Sequence, residues 1–280
     1  MCCSKPGTQD PKTEGNERKG LPVSAKIIAI ENASENGKKT LLFDRSFENM
    51  SPGNFCMVWI RGVDEIPLGC SYRNGVTFQV VGEATKALAG LSIGDTVGLR
   101  GPLGHPFTLP AAGEKILIIA GGGIGAAPLA PLAEVSKERG ADVTTILGAR
   151  SREDIVFEKR FEAAGKVLLT TDDGTKGRKG FVTHVLADLD LEEIDRIYVC
   201  GPEMMMKFTL DILIQKNAAA KAEFSMERYF KCGIGVCGAC CIDTLGLRVC
   251  RDGPVFPAKI LLNSEFGKYH RDASGARLKY

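Results

Sequence analysis

Between Lys231 and Cys250 the chain reads KCGIGVCGACCIDTLGLRVC, which gathers five cysteines and four glycines into twenty residues without a histidine. Thiolates are soft anionic donors, so such a concentration suits iron–sulfur or zinc ligation, or thiol–disulfide exchange. Cys232, Cys237, Cys240 and Cys250 follow the spacing C-x4-C-x2-C-x9-C. That is the plant-type [2Fe-2S] pattern, in which a short loop supplies three thiolates and a later element the fourth. Gly233, Gly235 and Gly238 let the loop curl so that backbone N–H groups face the anionic sulfurs.

Two other readings compete. Four thiolates also suit structural zinc, although zinc sites usually pair two short-spaced knuckles and only Cys237 and Cys240 form one. A redox dithiol at Cys237 and Cys240 is the other, and it leaves the remaining cysteines unexplained. Cys241 is the fifth thiol. Neighbours in an extended segment point to opposite sides, so the spacing takes Cys240 as ligand and leaves Cys241 as a small buried apolar residue.

A second chemical feature lies upstream. Ile119 to Leu129 reads IAGGGIGAAPL, which puts Gly121, Gly123 and Ala126 in a G-x-G-x-x-A arrangement after an expected strand and before an expected helix. Glycines there let the backbone turn tightly and approach a pyrophosphate at the positive end of the helix. The same residues would also serve a turn that needs glycine for packing alone. Ligands of open parallel sheets bind at the carboxyl ends of strands, and two more such ends are glycine-rich or polar, TTDDGTKGRKG and CGPEMM. The second strand of the unit ends in GARSR, with arginine where an acidic residue would hold a ribose 2'-hydroxyl. This position therefore assigns neither NAD nor NADP.

The elements that must position these features fall into four pieces. Residues 1–20 lack periodicity and are expected to be a disordered tail with inert Cys2 and Cys3. Residues 21–110 carry short strands separated by turns (VSAKIIAI, KTLLF, NFCMVWIR, VTFQVV, TVGLR), with one short helix near TKALAGL, and predict an antiparallel β-barrel or sandwich. A GPLG turn follows, and Thr85 is expected to cap the short helix, leaving backbone N–H groups that could receive a phosphate. His105 reads as a surface or packing residue. Residues 111–221 alternate strand and helix, with a helix over Pro128 to Arg139, and predict a parallel α/β sheet covered on both faces. Residues 222–280 are the cysteine segment and a polar tail.

Composition bounds the partners. With 44% hydrophobic and 25% charged residues and a net charge of +2, neither nucleic acid nor an anionic membrane is indicated. The longest uncharged run, Ile116 to Ala133, is broken by three consecutive glycines and two prolines, which reads as strand, turn and helix rather than a membrane span. No apolar segment follows Met1, so no secretory signal is expected. Ten cysteines without one point to a reducing cytoplasm.

Together these residues carry a resemblance. A barrel ending in GPLG, then AGGGIGAAP, TDDG and CGP, is similar in order to the ferredoxin-NADP reductase superfamily. With CGIGVCGAC and RVCRDGPVF added, residues 21–260 resemble the electron-transfer subunit of class 1B dihydroorotate dehydrogenase. The resemblance implies a multidomain protein: a flavin-binding barrel, a nucleotide-binding α/β domain and a small [2Fe-2S] segment. It implies a flow of electrons from NADH to FAD, on to the cluster, and from there to FMN in a separate catalytic subunit. That partner, in a heterotetramer, interconverts dihydroorotate and orotate in pyrimidine biosynthesis, and this chain acts on them only with it.

By position, the resemblance places FAD against Pro67, Leu68, Gly69, Cys70 and Ser71, then Phe78, Gln79 and Val80, with Ala84 and Thr85 near its phosphates. Family members commonly have Arg-Pro-x-Ser there; this chain has Ile66 and Gly69 at the arginine and serine positions. Nicotinamide-side contacts fall at Gly121, Gly122, Gly123, Gly125, Asp172, Cys200, Gly201 and Pro202. The short span from Ile242 to Val249 must be a tight hairpin. A ferredoxin- or hydrogenase-linked NAD(P)H reductase subunit could use nearly the same domains, though the DGPVF ending favours the first assignment. A zinc-stabilised nucleotide-sensing module is the reading from another class.

Overall fold

The computed structural model describes residues 21–280; the tail expected to be disordered, with Cys2 and Cys3, lies outside the described residues. The first unit is built from β1 (Val23–Asn32), β2 (Lys38–Phe43), β3 (Phe55–Ile60), β4 (Asp64–Tyr72), β5 (Gly75–Gln79), α1 (Glu83–Ala89) and β6 (Thr96–Leu103). The strands close into an antiparallel barrel in the order β1-β2-β5-β4-β3-β6. Period-2 alternation drives this closure: Leu41 and Phe43, Val76 and Phe78, and Val97 and Leu99 all point into one core with Ile27 and Val58. Leu88 of α1 is buried in the same core.

Two local expectations change. Gly101 to Leu103 are the end of β6 rather than a turn, because Leu103 pairs with Phe55 beyond a register shift. Thr85 is not the cap of α1. Gly82 is the N-cap, and the Thr85 hydroxyl, one turn in, accepts the N–H groups of Val81 and Gly82 at 3.0 and 2.9 Å. His105 is exposed.

The second unit comprises β7 (Lys115–Ala120), α2 (Ala126–Glu138), β8 (Asp142–Ala149), α3 (Glu158–Ala164), β9 (Lys166–Thr171), β10 (Arg178–Lys179), α4 (Val182–Asp188), β11 (Arg196–Cys200), α5 (Glu203–Gln215) and β12 (Ala222–Ser225). Helix α2 opens two residues before the expected Pro128, since Gly125 serves as its N-cap. Along β7, Ile116 and Ile118 face α2 and α3 with Leu129, Leu132 and Phe161. Leu117 and Ile119 face α4 and α5 with Leu186, Met206 and Leu210. Both faces of the sheet are thus covered, and β10, β9, β8, β7, β11 and β12 run parallel to one another.

The rest of the chain folds back onto both units. It forms β13 (Cys241–Ile242), β14 (Leu247–Arg248), α6 (Val249–Asp252), β15 (Val255–Pro257), α7 (Ala258–Leu261), β16 (Tyr269–Arg271) and β17 (Arg277–Lys279). β13 and β14 make the tight hairpin that the spacing required. β15, in the DGPVF motif, pairs antiparallel with β12 and completes the sheet order β10-β9-β8-β7-β11-β12-β15. Phe230 meets Phe55 of the barrel edge-on at 5.0 Å, and both join the core that holds α5 and the cysteine segment.

Candidate redox site

Three glycines shape the cysteine loop. Gly233, Gly235 and Gly238 have φ of +69°, +81° and +74°, where a side chain is strained. A Cβ on Gly233 would lie 2.9 Å from Met57 Cγ, and one on Gly235 2.5 Å from Arg251 Cδ. The curl turns backbone N–H groups onto sulfur: Val236 and Cys237 donate to Cys232 Sγ at 3.3 and 3.5 Å, Gly235 to Cys250 Sγ at 3.2 Å, and Cys250 to Cys240 Sγ at 3.4 Å.

Cys237 lies beside Cys232, and Cys240 beside Cys250, whose N–H it accepts. Burial opposes a thiolate at Cys232, but the N–H groups of Cys237, Ile234 and Val236 outweigh it and bring that thiol down to about 6. Burial and then the neighbouring Cys240 push the Cys250 thiol up to about 12. Among the described residues, no three His, Cys, Asp or Glu groups converge as a single ion would require. Backbone N–H groups turned onto three of the four sulfurs suit the anionic sulfurs of an iron–sulfur cluster. Cys241 is half-buried rather than buried as expected, and its thiol donates toward the Gly246 carbonyl at 3.9 Å.

The glycine loop meets the end of β11. Gly121 N–H donates to the Cys200 carbonyl at 2.9 Å, and a Cβ on Gly122 would lie 2.7 Å from the Pro202 ring. Gly121, Gly122, Gly123, Gly125, Cys200, Gly201 and Pro202 are thus brought together at the start of α2. Gly122 is exposed there, whereas Gly121, Gly123 and Gly125 are buried against Met205, the Asp154 carbonyl and the Cys200 carbonyl, the close packing for which glycine is needed. Burial pushes the Cys200 thiol up to about 12, and Glu227 adds to that, so this sulfur is a neutral thiol. Asp172 follows β9 on the same carboxyl edge of the sheet, two strands along from β7, and its N–H donates to the Ala149 carbonyl at 3.1 Å.

The expected flavin residues divide by strand phase. Cys70 and Phe78 point into the barrel core, so only their backbone can meet a cofactor, while Leu68 is half-buried at its edge. Ser71 points the other way, but its hydroxyl is tied to Thr77 Oγ1 at 2.8 Å, and Thr77 to Thr40 at 2.8 Å. Gly69 faces the nucleotide unit: a Cβ there would meet Pro128 of α2 at 3.6 Å. Ile66 through Gly69 are all half-buried, an apolar run that a flat ring could lie against. Gln79 is exposed, Val80 follows it, and Ala84 and Thr85 lie in the first turn of α1. Their N–H groups precede the first helical bond, from Lys86 to Gly82, and remain free for a diphosphate.

Several polar residues that hold the units together escape a reading of strand pattern. Arg160 of α3 binds both carboxylate oxygens of Glu134 at 2.6 and 2.8 Å and donates to the Ser71 carbonyl at 3.0 Å. Its guanidinium also lies over the rings of Tyr72 and Phe157 at 4.3 and 4.5 Å. Lys38 of β2, 1% exposed, joins Asp154 beneath Gly123.

Residues 227–262 match the family described as the iron-sulfur cluster binding domain of dihydroorotate dehydrogenase B, and residues 118–211 match the oxidoreductase NAD-binding domain. A Methanocella arvoryzae protein named "Probable dihydroorotate dehydrogenase B (NAD(+)), electron transfer subunit" is 51% identical over 91% of this chain and 98% of its own length. This chain belongs to that family of electron transfer subunits. The Methanocaldococcus jannaschii protein of the same name is 47% identical over 92% of this chain and 99% of its own. Among solved structures, an NADH-dependent reduced ferredoxin-NADP oxidoreductase superposes with a TM-score of 0.77 at 28% identity, covering 86% of this chain and 90% of that one. The ferredoxin reductase in carbazole 1,9a-dioxygenase shares the fold, with a TM-score of 0.62 at 23% identity over 72% of this chain and 68% of its own. Among the described residues no helix is long and apolar enough to cross a membrane.

Proposed function

We propose that the chain passes electrons between NADH and an FMN-containing dihydroorotate dehydrogenase subunit, within a cytoplasmic hetero-oligomer that serves pyrimidine biosynthesis. In this reading residues 21–110 bind FAD, 111–221 bind NAD(H) and 222–280 carry the [2Fe-2S] cluster. The observation that carries it is the cysteine loop: four thiols in one curled segment, with backbone N–H groups turned onto the sulfurs of Cys232, Cys240 and Cys250.

Bound FAD and a [2Fe-2S] cluster supply the conversion of a two-electron hydride donor into single-electron steps. The chain's own residues hold and orient. Gly121 to Gly125 bring backbone close enough for a pyrophosphate at the start of α2, and Cys200 to Pro202 close the nicotinamide side. Pro67 to Gly69 present the apolar strand that would back the flavin, while the first turn of α1 takes its phosphates. Cys232, Cys237, Cys240 and Cys250 would hold the irons. Ile234 and Val236, exposed beside Cys237, would present an apolar face to the partner.

The test is to reconstitute the chain with FAD and iron–sulfide and mix it with an FMN-containing dihydroorotate dehydrogenase subunit. NADH-dependent orotate reduction that neither component performs alone is the expected result. A colourless chain with stoichiometric zinc, or an intact flavin and cluster with neither complex nor activity, would overturn the assignment.

A further inference from the structure

Arg100 of β6 is buried, and it spends its guanidinium on two parts of the molecule that belong to different cofactors. Nε and Nη2 bind the two carboxylate oxygens of Glu65 at 3.0 and 2.6 Å, while Nη1 donates to the carbonyl of Cys232 at 2.9 Å. Glu65 immediately precedes the Ile66 to Gly69 run on β4 that would back the flavin. Cys232 is the first of the four candidate ligand thiols. The barrel wall between them is continuous: Met57 of β3 pairs with Arg100 on one side and with Pro67 on the other. The cluster loop is seated on that wall, since a Cβ at Gly233 would meet Met57 Cγ at 2.9 Å and Arg100 Nη1 at 3.5 Å.

We propose that Arg100 is a positioning residue for the transfer of electrons from flavin to cluster, locking the flavin strand and the Cys232 peptide into one rigid unit. The proposal rests on the reading that FAD and the cluster occupy these two places. Only a guanidinium can do this with one side chain. Its planar fork meets a carboxylate with two parallel bonds and keeps a third donor for the carbonyl, whereas an ammonium is a point donor on a flexible stem. Electron transfer falls steeply with separation and depends on the intervening medium, so a loop that rocks on the barrel slows it without altering how NADH meets the flavin.

The experiment compares the wild-type chain with Arg100→Gln, Arg100→Lys and Glu65→Gln, each reconstituted with FAD and iron–sulfide. It records flavin bleaching by NADH in stopped flow, the electron paramagnetic resonance spectrum of the reduced cluster, and the flavin-to-cluster rate by rapid freeze-quench. Arg100→Gln is expected to bleach flavin within twofold of wild type, to shift the cluster g-values and to slow flavin-to-cluster transfer at least tenfold, with Arg100→Lys in between. Glu65→Gln, which leaves the Cys232 bond in place, is expected to slow transfer with the wild-type spectrum. Wild-type spectra and rates in both Arg100→Gln and Glu65→Gln overturn the proposal. If Arg100→Gln fails to hold a cluster, the rate in Glu65→Gln decides. A wild-type chain that shows no cluster signal or no flavin overturns the functional reading itself, a result distinct from either.

Discussion

Lys38 Nζ lies 2.5 Å from Asp154 Oδ1, directly under the dinucleotide loop, and Asn36 Nδ2 donates to the same oxygen at 3.0 Å. A Cβ on Gly123 would lie 2.4 Å from the Asp154 carbonyl and 3.1 Å from Lys38 Cε. The barrel therefore supports the glycine loop from below through a buried ion pair. Removing one partner of such a pair leaves a desolvated charge, at a cost of about 3–5 kcal/mol. Lys38→Met is expected to lower the thermal unfolding midpoint and raise the KM for NADH in a dye-reduction assay. Lys38→Met with Asp154→Leu is expected to recover most of the stability. A double variant no more stable than the single one would refute the pairing argument.

Cys240 and Cys241 are adjacent but differ in surroundings. Cys240 is buried and its sulfur receives the Cys250 N–H, whereas the Cys241 thiol faces the Gly246 carbonyl. Cys240→Ser is expected to lose the reduced-cluster resonance and Cys241→Ser to keep it. Electron paramagnetic resonance on both proteins checks this, and the reverse outcome would shift the ligand set by one residue.

Val236 is 80% exposed and Ile234 46%, on a loop whose glycines leave little freedom to hide them. Placing a charge there should weaken docking without touching the nucleotide side. Val236→Glu is expected to keep NADH-driven flavin bleaching and the cluster spectrum while weakening association with the catalytic subunit by about tenfold, or ~1.4 kcal/mol. Titration calorimetry reads the affinity, and unchanged binding would place the contact elsewhere.

The β16–β17 hairpin is fastened to the cluster hairpin by Asp243, which accepts hydrogen bonds from Tyr269 Oη at 2.6 Å and from Arg271 Nη2 at 2.9 Å. Burial raises this carboxyl, but the bonds from Tyr269 and Arg271 and the charges of Arg271 and Arg277 prevail and hold it below its ordinary value. A depressed folded-state value means that the fastening is fully present above the unfolded carboxyl range, about pH 4, and is lost as pH falls through the lower folded value. Hydrogen exchange in the hairpin is expected to accelerate below that pH before the barrel strands do. Asp243→Asn should show the fast exchange already at neutral pH.

How far the sequence carries the reader differs by element. The glycine loop and the cysteine spacing are local, because their chemistry is set by residues a few positions apart, and both take the form their spacing implies. β4 is harder: Pro67 and Gly69 erase the alternation that would mark a strand, and only the resemblance places flavin contacts there. Which side chains of that strand face the cofactor depends on barrel phase, so Cys70 and Phe78 turn out to belong to the core. Arg100 and Lys38 are invisible for a further reason. Their partners lie 132 and 116 residues away, and nothing in a strand pattern tells a lysine bound for solvent from one bound for another domain.

One feature of the fold sets how this molecule can work over time. The chain enters the cysteine segment from β12 and leaves it through β15, and these strands pair with each other in the nucleotide sheet. The cluster loop is thus hemmed at both ends into the same fabric, not hung on a tether. It cannot swing from donor to acceptor as a carrier would. Relay through this protein should proceed at a pace insensitive to solvent viscosity, and any shuttling in the complex must be done by NADH or by the partner's substrate.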